Sequence, residues 1–154
     1  MKLENQVCSL ESAKRLVELG IKQESLFYWM KFPIQKQVYE NIKWKWEVVS
    51  KDFLESAFSE KISAFTVAEL GEILPKEIKI GNDIYEFSLC RNSSRNPKCE
   101  DSDYGWEFSY QKSMPYGRWI EWVYSIGGID EVESRAKMLI YLMENKLSGY
   151  FPRQ

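Results

Sequence analysis

Hydrophobic residues along this chain switch between two spacings, and each switch predicts a change of element. Leu10, Ala13, Leu16 and Val17 recur at helical spacing and predict a helix from about Ser9 to Leu19. Ser9 suits its N-cap, and Gly20 suits a left-handed position just past its end, with Ile21 folding back on Leu16. Leu26 to Lys31 is short, aromatic and closed by Pro33, which favours a strand. In Ile42 to Val49 the pattern becomes strict alternation, with Ile42, Trp44, Trp46 and Val48 set against Lys43, Lys45 and Glu47. A period of two predicts an antiparallel strand with its tryptophans in the core and its lysines in water.

Helical signals return at Phe65 to Pro75. Thr66 and Glu69 make a capping box, Phe65 and Leu70 take the hydrophobic-staple positions, and Pro75 stops the helix after Leu74. Glu77 to Ile80 and Ile84 to Arg91 flank the turn formers Gly81, Asn82 and Asp83, a hairpin pattern. From Arg91 to Asp103 large apolar residues almost vanish, and a mobile surface loop is expected. Trp106, Phe108 and Tyr110 alternate with Glu107, Ser109 and Gln111 as a further strand, after which Met114 to Gly117 turns into Arg118 to Ile126. That last segment fits both spacings. Trp119, Trp122, Val123 and Ile126 make a helical stripe, whereas Ile120, Trp122, Tyr124 and Ile126 alternate; the β-rich composition and Gly127-Gly128 favour a strand. A final helix runs from Glu131 to about Lys146, opening on the capping-box-like pair Asp130 and Glu133. Glu131–Arg135 and Glu133–Lys137 are i,i+4 pairs, and Val132, Ala136, Leu139 and Met143 form the inward stripe. The expected fold is α+β, an antiparallel sheet of about 5–6 strands carrying an N-terminal, a short central and a C-terminal helix. Without an internal repeat or a linker, residues 1–154 read as a single domain.

Composition narrows the chemistry. The chain has no histidine but six tryptophans, nine tyrosines and eight phenylalanines, so the usual general base and metal ligand near neutral pH is absent. Cys8, Cys90 and Cys99 are odd in number and form no C-x-x-C pair, which fits reduced structural thiols in the cytoplasm and no metal site. A formal charge of −2 makes nucleic acid an unlikely partner for the molecule as a whole. No apolar run approaches the roughly 20 residues of a membrane span, and Met1 to Val7 leads into no signal-like stretch.

Three blocks, Val7 to Leu16 with Gly20 to Trp29, Ser63 to Pro75, and Ser134 to Asn145, resemble small uncharacterised proteins of gut Bacteroidetes, phages and mobile elements. They cover a little under a third of the chain, and the segment Cys90 to Ser102 lies outside them. The resemblance implies a prophage or conjugative-element setting, in which small accessory proteins often act by binding. It supplies no activity, cofactor or site residue.

Candidate chemistry is correspondingly sparse. Lys43 to Trp46 has the makings of a base-stacking strand, but alternation puts its tryptophans and lysines on opposite faces. Arg118 with Trp119 and Trp122 has the makings of a stacking pocket for a nucleotide-like ligand. Glu11, Glu69, Glu72, Glu131 and Glu133 supply carboxylates, but several fall at helix starts, where caps account for them. Nucleophile elbow, Walker loop and dinucleotide fingerprint are all missing, so no catalytic residue and no cofactor is expected. With more rings than one small core is expected to hide, a cluster drawn from Tyr28, Trp29, Tyr116, Trp119 and Tyr124 is expected to be partly exposed near Arg118. The expected function is non-enzymatic binding through an aromatic-lined surface that docks a protein, a second copy of the chain included. The alternative is capture of a small nucleotide-like signal that counters host defence.

Overall fold

A computed structural model describes residues 2–34, 43–53, 60–92, 105–113, 120–128 and 130–147. Among these residues three α-helices and seven strands follow one another as α1 (Leu10–Glu18), β1 (Phe27–Ile34), β2 (Lys43–Ser50), β3 (Lys61–Ser63), α2 (Val67–Ile73), β4 (Glu77–Ile80), β5 (Asp83–Asn92), β6 (Gly105–Ser113), β7 (Ile120–Gly128) and α3 (Glu131–Glu144). The α+β class is as expected, but the strands do not form one sheet. They divide into a three-stranded antiparallel sheet, β2-β1-β3, and a four-stranded antiparallel sheet, β4-β5-β6-β7. The break falls at α2, whose capping box and Pro75 turn the chain away from β3 before β4 begins.

Local signals position the helices. Ser9 caps α1 by accepting from the Ser12 amide, and Gly20 at φ +85° lets the Gly20 and Ile21 amides reach back to Val17 and Leu16. That is a Schellman ending, in which only a residue free of Cβ strain sits comfortably at C′. At α2 both halves of the capping box form between Thr66 and Glu69, and the staple residues Phe65 and Leu70 are fully buried. Glu69 does more than cap: its carboxylate also accepts from the Ser25 hydroxyl and the Leu26 amide, tying α2 to the start of β1. Burial works against the charged carboxyl, but amide and hydroxyl donors from Thr66, Leu26 and Ser25 outweigh it and hold Glu69 below the usual carboxylate value. At α3 Asp130 caps the Val132 amide, but Glu133 does not complete a box. It crosses to α1 instead, accepting from the Ser9 amide at 3.0 Å and the Ser12 hydroxyl at 2.6 Å. A few turns along, Arg15 clasps Glu144 at 2.7 Å, so polar contacts at both ends fix α1 against α3.

The buried cluster joins Leu16 of α1, Phe65, Leu70 of α2, Phe108 and Tyr110 of β6, and Val132, Ala136, Met138, Leu139 and Leu142 of α3. Trp29 and Ile62 of the smaller sheet pack against it, so both sheets share this core. Met138 and Leu142 make the inward face of α3 broader than the stripe read from spacing, as a helix wedged between other elements requires. A Cβ at Gly71 would stand 2.9 Å from the Arg135 guanidinium, so this side-chain end, which is paired with Glu131 and lies 5.4 Å from the Phe108 ring centroid, would have to shift.

Two strand readings change. Pro33 does not end β1, which continues to Ile34. Its missing N–H faces the β3 side, where pairing has already stopped at Met30, so no ladder bond is lost. The ambiguous segment is strand β7, and it is bulged: Tyr110 pairs with Tyr124 but Gln111 pairs with Trp122, leaving Val123 over. Of the expected loop at 91–103, Arg91 and Asn92 end β5, and the rest lies outside the described residues.

Candidate functional site

The smaller sheet carries the most unusual surface among the described residues. Trp44, Trp46 and Val48 of β2 share one face with Trp29 and Lys31 of β1 and Ile62 of β3, because Trp29 pairs with both Val48 and Ile62 and Lys31 pairs with Trp46. At one end this face is interior: Trp29 and Ile62 meet the core, and the Trp29 indole N–H donates to the Cys8 carbonyl at 3.0 Å. Toward the other end the cover runs out. Trp46 is half-buried and Trp44 is 51% exposed. The expectation that both tryptophans lie in the core is therefore corrected: β2 is the outer strand of its sheet, and the shared core reaches only as far as Trp29.

Cations line these rings. The Lys31 ammonium lies 5.7 Å from the Trp44 ring centroid and 5.9 Å from that of Trp46, and Lys14 of α1 lies 5.2 Å from Trp46. Lys31 also meets the Glu60 carboxylate at 3.1 Å. On the opposite face, Lys45 pairs with Glu47. An ammonium over an indole face is held by the ring quadrupole while part of its charge stays available to a carboxylate or other anion. Such an array can grip a partner by ring contact and by charge together, and tryptophan is the side chain most enriched among residues that dominate binding energy.

The residues expected to cluster near Arg118 are placed as follows. Tyr28 is buried, its hydroxyl accepting from the Ser25 amide at 3.3 Å and its ring facing the Lys61 ammonium at 5.6 Å. Trp29, its neighbour, projects to the other face and is half-buried. Tyr116, Arg118 and Trp119 lie outside the described residues, and Tyr124 is placed only by its backbone, opposite Tyr110. What spacing missed is that the cations over Trp44 and Trp46 come from other elements, one across the ladder and one from α1. A signal was present: in β1, Lys31 shares the face of Trp29, and a lysine at such a position marks where burial ends.

Burial pushes the Cys8 thiol up to about 12, so it stays protonated near neutrality. Among the described residues no three side chains of the metal-ligating types gather, and no helix is long and apolar enough to cross a membrane. In comparisons with protein-family models, curated proteins and solved structures, none matches this chain.

Proposed function

We propose that the protein is a non-enzymatic binding protein, an accessory of a phage or mobile element, which docks a protein partner on the Trp44–Trp46 face of β2. The observation that carries this reading is the half-exposed Trp44, left outside a core that buries Phe65, Phe108 and Tyr110 almost completely. A large ring in water costs solvation that a partner would recover. Lys31 and Lys14 select for a partner surface that brings carboxylates to the rings. The test is to isolate the partner from host cytoplasm, purify it, and titrate it against wild type and Trp44→Ala. A hot-spot residue predicts about 30-fold weaker binding for the variant, with thermal unfolding lowered only slightly. Equal affinity for both proteins would remove this face from the interaction.

A further inference from the structure

The outer edge of β2 is as distinctive as its face. Among the described residues no strand pairs beyond it. The edge strands β3 and β4 span only three and four residues, and β7 carries a bulge; β2 runs eight residues in unbroken register with β1. A long, regular edge is the type most open to pairing with another strand. Backbone direction along it follows from two hydrogen bonds: the Lys51 amide donates to the Leu26 carbonyl just before β1, while the Ala64 amide donates to the Phe27 carbonyl on the β3 side. Odd-numbered β2 residues therefore bond to β1, and the N–H and C=O groups of Trp44, Trp46, Val48 and Ser50 point outward.

The geometry points to a second copy of this chain as the occupant of that edge, paired antiparallel across a two-fold axis at Trp46. In this register Trp46 faces Trp46 of the other copy, and Trp44 faces its Val48, all through outward backbone groups. Lys45 then lies opposite Glu47 of the other copy, twice over, at the non-hydrogen-bonded positions where side chains approach most closely. Neighbouring registers lose this match. Centring on Glu47 or Lys45 sets like charges face to face, centring on Trp44 opposes Lys43 to Lys45, and centring on Val48 opposes Lys45 to Lys51. The dimer is a continuous six-stranded sheet, and it joins two tryptophan faces into one surface. It rests on the backbone edge and the Lys45/Glu47 charges, not on the partner-binding reading of the face.

Sedimentation of the full chain tests it. Wild type at about 100 μM is expected at twice the 18.3 kDa chain mass, dissociating on dilution. Lys45→Glu and Glu47→Lys are each expected to be monomeric at that concentration, and the double exchange K45E/E47K is expected to restore the dimer. In wild type, amide exchange at Trp44, Trp46 and Val48 is expected to slow as concentration rises. A monomeric wild type, singly substituted proteins that fold and stay dimeric, a double exchange that fails to dimerise, or outward amides indifferent to concentration would each overturn the proposal. Loss of self-association with partner affinity intact, or the reverse, tells the failure of this interface from the failure of the docking face.

Discussion

Strands β2 and β6 carry nearly the same alternation of large rings and polar residues, yet they meet opposite environments. In β6, Phe108 and Tyr110 are completely buried: β6 is an inner strand, α3 lies across it, and Phe87 of β5 packs on both rings at 6.0 and 5.5 Å. The Tyr110 hydroxyl is satisfied there by the Pro75 carbonyl at 2.6 Å. In β2, Trp44 and Trp46 sit on the outer strand of the smaller sheet, outside the buried cluster, and the ammonium groups of Lys31 and Lys14 come to their rings. Alternation tells which residues share a face of a strand. It does not tell whether anything covers that face.

The sharpest way to break this comparison is to truncate one ring from each strand. Phe108→Ala is expected to lower unfolding free energy by about 3–5 kcal/mol through lost burial and a cavity. Trp44→Ala is expected to lower it by no more than about 1 kcal/mol, since half of the side chain is already in water and its contact with Lys31 is an exposed cation–π pair. Urea unfolding followed by circular dichroism measures both. Similar losses for the two would mean that Trp44 is a core residue after all.

A smaller effect is expected at Glu69, which ties α2 to the beginning of β1 between the two regions. Glu69→Ala removes hydrogen bonds to two amides and two hydroxyls and is expected to cost about 2 kcal/mol, against about 1 kcal/mol for Thr66→Ala. Because the folded-state pKa of Glu69 is lowered, its charge-dependent stabilisation is present above the ordinary carboxylate pKa and is lost as pH falls through the folded value. The stability gap between wild type and Glu69→Gln should therefore narrow from pH 7 to pH 3. A gap that stays constant or widens in acid would contradict the assigned network.

Similarly small is the expected cost of removing the lysine between the two tryptophans. Lys31→Met should lower stability by no more than about 1 kcal/mol, the range of an exposed cation–π contact. Its tryptophan fluorescence should nevertheless change, since the ammonium lies near two indoles at once. A large loss of stability would place Lys31 in the architecture rather than on a binding surface.

Much of the fold was legible because its signals are local. The Ser9 cap, the Gly20 ending, the Thr66/Glu69 box with its Phe65/Leu70 staple and the alternation in β2, β5 and β6 each depend on residues a few positions apart. Where reading failed, distant residues decided. Glu133 looked like half of a capping box for its own helix but serves α1, more than a hundred residues earlier. The candidate site failed for the same reason: its rings were visible in the sequence, but Lys14 and Lys31 reach them only through the packing of α1 and the β1–β2 register.

The sequence by itself determined the α+β class, the helix ends and the faces of the strands, since caps, turns and side-chain periods are properties of short segments. The division into two sheets, the shared core and the exposure of Trp44 were decided by the tertiary structure. Burial is a property of what lies opposite a residue, and the elements that cover β6 but stop short of β2 come from remote parts of the chain.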